Sequence, residues 1–290
     1  MFRKEIRLFG DYWVDFFMKV LLVLLLLASA ALASSEIYVR EYPGGHRDYS
    51  DKPSPGLKKL KLRSGKSYRI VQFVYDGDTL LLDNGDKVRL SGINTPEVES
   101  SRKRGESGGE QARIWMKEAI EGKKVRLEQD VERRDRYQRI LAHVFTEDRT
   151  HINRALVSLG LATVNLYPPN LKYAEPLLDA QKLAEQRRLG IWGDPVYTPE
   201  PVENLAGSQR RAWGRFVGRA RSIKPGGRFY RLIFSDRVDA RIPRANLDLF
   251  PDLNGYLESE LEIRGWPSRR KDHYSILVRH PSDLRAVAVE

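Results

Sequence analysis

The sequence predicts a β-barrel with helices packed on it, an α+β arrangement, over residues 67–194, followed by a second small β-barrel over 209–290. Short runs of β-forming residues are separated by Asp, Asn and Gly turns, and three apolar patterns of helical period break into the first set of strands. A stretch poor in apolar residues, 195–208, divides the two sets and reads as a linker. A chain of 290 residues fits two domains at roughly 150 residues each. Its 41% apolar and 10% aromatic content supplies real cores and excludes a fully disordered chain. The absence of cysteine excludes disulfides, thiolate metal sites and cysteine nucleophiles, but not export.

The N-terminus reads as an export signal. Val20 to Leu27 is an unbroken apolar run that continues through small residues to Ala33. It is shorter than the ~20 residues a membrane-spanning helix needs. Lys19 supplies a positive flank, and Ala31-Leu32-Ala33 gives a small-x-small cleavage site before Ser34. The lead before Met18 is unusually long, so Met18 is a second candidate start. The alternative reading of 1–33 is an uncleaved anchor, which would put the protein at the membrane. Either way the expected destination is secreted or periplasmic. Residues 34–66, with Pro43-Gly44-Gly45 and Pro53-Ser54-Pro55-Gly56, show no sustained period and read as a basic tether. Its Lys58, Lys59, Lys61, Arg63 and Lys66 suit either phosphate contact or a solvated face.

Within 67–194, strands fit Tyr68–Tyr75, Thr79–Leu82 and Val88–Ile93, with the hairpin signal Asp83-Asn84-Gly85-Asp86 between the last two. Ala112, Trp115, Met116, Ala119 and Ile120 recur at helical spacing over Glu110–Glu121, and Gly122 ends that helix. Val125–Glu128 and Arg139–Phe145 fit two more strands; His151–Leu161 and Pro176–Arg188 fit two more helices. Five short strands plus helices place the OB type among the candidate barrels.

Charge locates the chemistry less directly than expected. Lys and Arg number 50 against 39 Asp and Glu, a net +11 that favours an anionic partner. Yet 67–194 is almost neutral, with 21 basic and 20 acidic residues. Four polar clusters in it are not required by secondary structure. Asp76-Gly77-Asp78-Thr79 sets two carboxylates around a glycine, a turn that also collects hard oxygen ligands. Arg89 sits between Val88 and Leu90, where alternation places it opposite the apolar neighbours. Asn94-Thr95-Pro96-Glu97 follows a strand, and Asp135-Arg136-Tyr137-Gln138-Arg139 opens one. Taken singly, each is also an ordinary turn or an exposed arginine. The five histidines show no ligand spacing.

Together and in this order the clusters resemble the staphylococcal nuclease (thermonuclease) family, over about 67–194. Asn153-Arg154-Ala155-Leu156-Val157, Gly160-Leu161-Ala162 and Leu189-Gly190-Ile191-Trp192 extend the match. The resemblance implies an OB-type nuclease fold and calcium-dependent cleavage of DNA and RNA, leaving 5′-hydroxyl and 3′-phosphate ends. It implies Asp78 as the principal metal carboxylate, Asp76 as a supporting one, and Asn94 with the Thr95 carbonyl as further ligands. Glu97 matches the general base, Arg89 and Arg139 the two phosphate-gripping arginines, and Tyr137 a tyrosine at the nucleotide site. Asn94 departs from the family, which usually carries an aspartate there; losing a formal charge weakens calcium binding. The loop Ser100–Gly109, with Arg102, Lys103 and Arg104, falls where the family has a mobile loop, and it is either a substrate clamp or a solvated loop. Tyr167 is a candidate for base stacking.

In 209–290, strands fit Trp213–Arg221, Arg228–Ser235, Val238–Ile242, Glu260–Trp266 and Tyr274–Arg279, with a helical piece near Ala245–Phe250. The set resembles the OB-like nucleic-acid-binding segment that follows some bacterial thermonuclease domains. Arg215, Arg219, Arg221, Lys224, Arg228 and Arg231 interleave with Trp213, Phe216, Phe229 and Tyr230. That is either a basic groove with stacking platforms or a core with solvated arginines. The expected partners are DNA and RNA, and no protein partner is expected. The rival readings are a catalytically silent nucleic-acid-binding module and a membrane-bound envelope protein.

Overall fold

A computed structural model of the chain describes residues 38–42, 47–59, 67–99, 101, 104–206 and 212–287. The apolar run 20–33 lies outside the described residues, as do Arg102 and Lys103. Among the described residues no helix is long and apolar enough to cross a membrane. The chain divides into two units, Met1–Gly65 and Lys66–Glu290. In the first, β1 (Tyr38–Glu41) pairs antiparallel with β2 (Arg47–Ser50) and β3 (Lys58–Lys59). Residues 34–66 are therefore not a structureless tether along their described length. Strands of two to four residues are too short to leave a period in the sequence.

The second unit begins with a closed barrel of β4 (Tyr68–Val74), β5 (Thr79–Leu82), β6 (Lys87–Leu90), β8 (Lys124–Glu128) and β9 (Ile140–Thr146), ordered β4-β5-β6-β9-β8. Only the β6–β9 pair is parallel, with Val88 opposite Ile140 and Arg89 opposite Leu141. Alternation carries Leu80, Leu82, Val88 and Leu90 into the core, each at most 1% exposed. Complete burial of each such side chain contributes about 1.5–3 kcal/mol. The short β7 (Ile93–Asn94) pairs instead with β10 (Thr163–Val164), which fixes Asn94 opposite Thr163 beside the barrel mouth.

Three helices cover the barrel: α1 (Gly109–Ile120), α2 (Ile152–Ser158) and α3 (Ala174–Gln186). In α1 Ala112, Met116 and Ile120 are fully buried, while Trp115 and Ala119 pack at the edge of the same core, as the spacing predicts. Gly122 ends the segment with φ of 75°. The buried side chain of Asn153 on α2 accepts from the Val144 N–H at 3.0 Å and donates to the Ser91 carbonyl at 2.8 Å, tying helix to barrel.

Beyond the barrel, a four-stranded sheet runs β11 (Glu200–Pro201), β12 (Gly214–Arg219), β16 (Glu260–Gly265), β19 (Leu284–Ala286). A five-stranded sheet runs β13 (Ser222–Pro225), β14 (Phe229–Ser235), β15 (Val238–Pro243), β18 (His273–Leu277), β17 (Pro267–Arg270). Both enclose one core built on Phe216, Phe234, Leu261, Ile263 and Ile276. All five predicted strand regions are strands. β13, β17 and β19 are additional segments of three or four residues: β13 and β17 form hairpins with the strands that follow them, and β19 returns to β16.

The segment 195–208 corrects the expectation of a linker. Tyr197 is buried in an aromatic cluster with Trp192 and Trp213, and Val202 and Leu205 are buried in the second core. Composition underweights them because the segment has few apolar residues; Val196 is exposed, but Tyr197, Val202 and Leu205 face inward. A buried ion network crosses the same junction. Glu185 of α3 pairs with Arg264 (Nη2–Oε2 2.8 Å), and Glu262 accepts from Arg215 at 2.8 and 2.9 Å and from Arg264. Removing one partner of such a network costs roughly 3–5 kcal/mol, because the remaining charges stay buried and unpaired.

Buried His143 and half-buried His151 form a pair, Nδ1 to Nε2 at 3.2 Å, among Phe145 and Tyr173. Burial pushes His143 down to about 4, and burial with the neighbouring His143 pushes His151 down to about 3. Both shifts lie below the unfolded value, so the stability they carry is full above pH ~6.5 and is lost as pH falls toward the folded values. His151→Gln should therefore show a smaller fall in melting temperature than wild type between pH 7 and pH 4.5. Calorimetry finding equal falls would contradict this.

Candidate active site

The site lies at the mouth of the first barrel, in a cleft of about 740 Å³. Its centre is Asp78, 5% exposed at the start of β5. Asp78 Oδ2 accepts from the Thr95 N–H at 3.0 Å and pairs with Arg89 Nη2 at 2.8 Å, while Oδ1 accepts from the Thr79 hydroxyl at 3.1 Å. The Asp78 N–H in turn donates to Asp76 Oδ1 at 2.9 Å. Gly77 between them is required by proximity: a Cβ there would lie 2.6 Å from Thr95 Cγ2 and 2.7 Å from Ala112 Cβ. The glycine thus lets the acidic turn approach the Thr95 loop, and it needs no unusual φ to do so.

Burial, then the charge of Asp78, pushes the Asp76 carboxyl up to about 7. The repulsion between the two carboxylates is what a cation bound to both would relieve. The available donors are two carboxylates, the Asn94 amide and the Thr95 carbonyl. They are all hard oxygens and fit calcium or magnesium rather than a transition metal. Among the described residues no group of three or more His, Cys, Asp or Glu side chains is arranged to hold a metal. The third anionic position is the one Asn94 takes.

Asn94 is locked. Its Oδ1 accepts from Arg89 Nη2 at 3.1 Å, and its Nδ2 donates to the Thr95 carbonyl at 2.9 Å. Arginine only donates, so the amide oxygen must face Arg89 and its NH2 must face Thr95. The amide therefore withholds a charge and also occupies one lone pair of the next candidate ligand. Arg89, half-buried, also donates through Nη1 to the Leu90 carbonyl at 2.7 Å. It is held inside the cleft and is not an exposed strand arginine.

Arg139 is positioned by Asp135, which accepts from its N–H at 3.0 Å and its Nε at 2.7 Å. Burial would raise Asp135, but these bonds more than offset it and hold the carboxyl below its ordinary range. The terminal guanidinium nitrogens of Arg139 are left to the cleft. Tyr137, 64% exposed, has the guanidinium carbons of Arg136 and Arg139 4.7 and 5.6 Å from its ring centre. Glu97 lines the cleft, and its carbonyl packs so close to Gly109 that a Cβ there would sit at 2.3 Å.

The cleft thus brings together Asp76, Asp78, Arg89, Asn94, Thr95, Glu97, Tyr137, Arg139 and Tyr167. Arg104 is exposed and outside its lining; Arg102 and Lys103 fall outside the described residues. Sequence reading missed Arg136, Asn170, Trp266 and Arg279, all of which line it. Arg136 was legible as the neighbour of Tyr137. Asn170 was not: its amide exchanges two 2.8 Å bonds with the Glu132 backbone, across 38 residues.

Residues 87–194 match the family model of staphylococcal nuclease homologues. The thermonuclease of Staphylococcus intermedius is 39% identical over 131 residues, 44% of this chain and 77% of that protein. The chain belongs to the staphylococcal nuclease family. The thermonuclease of Staphylococcus hyicus is 35% identical over 132 residues, 44% of this chain and 77% of its own. Endonuclease YncB of Bacillus subtilis (strain 168) is 35% identical over 127 residues, 42% of this chain and 60% of that protein. The family model stops at Asp194, so the two C-terminal sheets lie beyond it.

Restoring the third carboxylate should restore cation affinity. Asn94→Asp is expected to bind calcium about tenfold more tightly than wild type in calorimetric titration. A wild-type site as tight as that of the variant would contradict this.

Proposed function

We propose that this chain is an exported, calcium-dependent nuclease that hydrolyses phosphodiester bonds of DNA and RNA with little sequence preference, leaving 3′-phosphate and 5′-hydroxyl ends. The observation that carries the reading is the single cleft lined by Asp76, Asp78, Arg89, Glu97 and Arg139. The names of the relatives, thermonuclease and endonuclease, support it.

Asp76, Asp78, Asn94 and the Thr95 carbonyl would hold the calcium. When bound, the ion adds positive charge where the non-bridging phosphate oxygens gain negative charge. Arg139, with its Nε tied to Asp135, presents a fixed fork to two phosphate oxygens and does not lose its proton. Arg89 adds a second guanidinium. Glu97 takes a proton from the attacking water, a step worth roughly 10²–10⁴-fold in rate. The new bond forms between water oxygen and phosphorus, the P–O5′ bond breaks, and the 5′ oxygen leaves with a proton drawn from solvent. Tyr137 and Tyr167 offer faces to the flanking bases. We read the two C-terminal sheets as an OB-like nucleic-acid-binding element.

One observation favours a second reading, a nucleic-acid binder without turnover. The Asn94 amide bonds the Thr95 carbonyl, which weakens the metal site. Cleavage of single- and double-stranded DNA and RNA, in calcium and in chelator, separates the two. The proposal expects calcium-dependent cleavage that falls at least 100-fold in Glu97→Gln. A wild type inactive at millimolar calcium that still binds the strands would establish the binder instead.

Export rests on Lys19, the apolar run to Ala33 and the small residues before Ser34. N-terminal sequencing of protein recovered from outside the cytoplasm should begin at Ser34. A first residue upstream of Met18 would overturn cleavage and favour an anchor that holds the protein at the membrane.

A further inference from the structure

The cleft has a second wall, and it comes from the C-terminal sheets. Just past β18, Val278 is fully buried in the second core and Arg279 follows it. The Arg279 backbone is pinned on both sides: its N–H donates to Asp283 Oδ2 at 2.9 Å and its carbonyl accepts from Asn246 Nδ2 at 2.8 Å. Its guanidinium carbon lies 4.2 Å from the centre of the Tyr167 ring. Among the described residues that guanidinium makes no hydrogen bond or ion pair, so its N–H donors are left to the cleft. Trp266, at the end of β16, lines the same cleft and is partly buried against the Trp192–Trp213 cluster. The wall is fixed, because the Glu185–Arg264–Glu262–Arg215 network and that aromatic cluster join it to α3.

We propose that Arg279, stacked on Tyr167 and flanked by Trp266, forms a subsite for single-stranded nucleic acid next to the reacting position, Arg279 holding a flanking backbone phosphate. A cation stacked on one face keeps its N–H edge oriented, so little freedom is lost when a phosphate binds. The aromatic faces suit unstacked bases of any identity. The basic–aromatic stripe singled out in the sequence is a weaker candidate. Phe216 and Trp213 are buried, Arg215 is spent on Glu262, and Arg231 is spent on Asp239.

This inference deepens the proposed function and rests on the cleft being a phosphodiester site, so it is tested without turnover. Fluorescence anisotropy of a labelled ten-residue oligothymidylate is followed with the full chain in chelator at several salt concentrations. Arg279→Ala should weaken binding about 5–10-fold at low salt and lower the slope of log affinity on log salt by about 0.7, the loss of one phosphate contact. Arg279→Lys should keep the slope. Lys182→Ala, a charge removed from the exposed face of α3, is the control and should change neither. Arg279→Ala behaving like the control overturns the subsite, as does a slope lost equally in the alanine and lysine variants, or a wild type that does not bind the strand. A wild type that binds but never cleaves leaves the subsite standing and defeats only the nuclease reading.

Discussion

The buried carboxylate of Asp78 is where three pieces of the functional barrel meet. Its side chain holds Arg89 from β6 and the Thr95 amide from the loop after β7, and its carbonyl accepts from the Leu90 N–H at 2.8 Å. Taking such a charge out of water costs several kcal/mol unless partners replace its solvation. The guanidinium and two N–H or O–H donors do so here. The cost reappears at Asp76, whose carboxyl has no such arginine to itself and is pushed up to about 7. The same constraint explains Gly77, since any side chain there would push the acidic turn off Thr95.

Around that centre, the polar residues are themselves held. Asp135 fixes Arg139, Asn170 fixes the Glu132 backbone in the β8–β9 connection, and Arg89 dictates which way the Asn94 amide points. Asn94 is the residue whose chemistry is most consequential. An amide can satisfy Arg89 and Thr95 simultaneously, which an aspartate cannot, so the site gains internal hydrogen bonding while losing anionic charge. Stability of the uncharged arrangement and affinity for a cation pull in opposite directions at this one position.

The C-terminal sheets alter what the cleft is. The barrel does not line the cleft alone: Trp266 and Arg279 line it together with Tyr137 and Arg139. What holds them there is a junction of mixed character, a dry aromatic cluster beside a buried ion network. The aromatic cluster supplies apolar burial. The ion network contributes geometry more than net stability, since unpaired charges at the junction would penalise any other arrangement of the two halves.

Local patterning was enough to read most strands and the three helices, and it was the resemblance to a nuclease family, carried by the order of the clusters, that singled out Asp76, Asp78, Arg89, Asn94, Glu97 and Arg139. Period and turn signals act over a few residues, and a motif of ligand-bearing turns is written in consecutive positions. The same locality explains what was not legible. The strands of residues 38–59 and the short β13, β17 and β19 are too brief to show a period. The burial of Tyr197, Val202 and Leu205 turns a compositional linker into part of two cores. Arg279 and Trp266 are ordinary residues in sequence. Only packing across more than 100 positions sets the guanidinium of Arg279 on Tyr167, and only the fold brings both residues into the cleft that the acidic turn lines. Sequence determined which groups are candidates for the chemistry, because those groups are recognised by type. Tertiary structure decided which of them share one cleft, because burial, ion pairing and stacking act between residues that the chain order keeps apart.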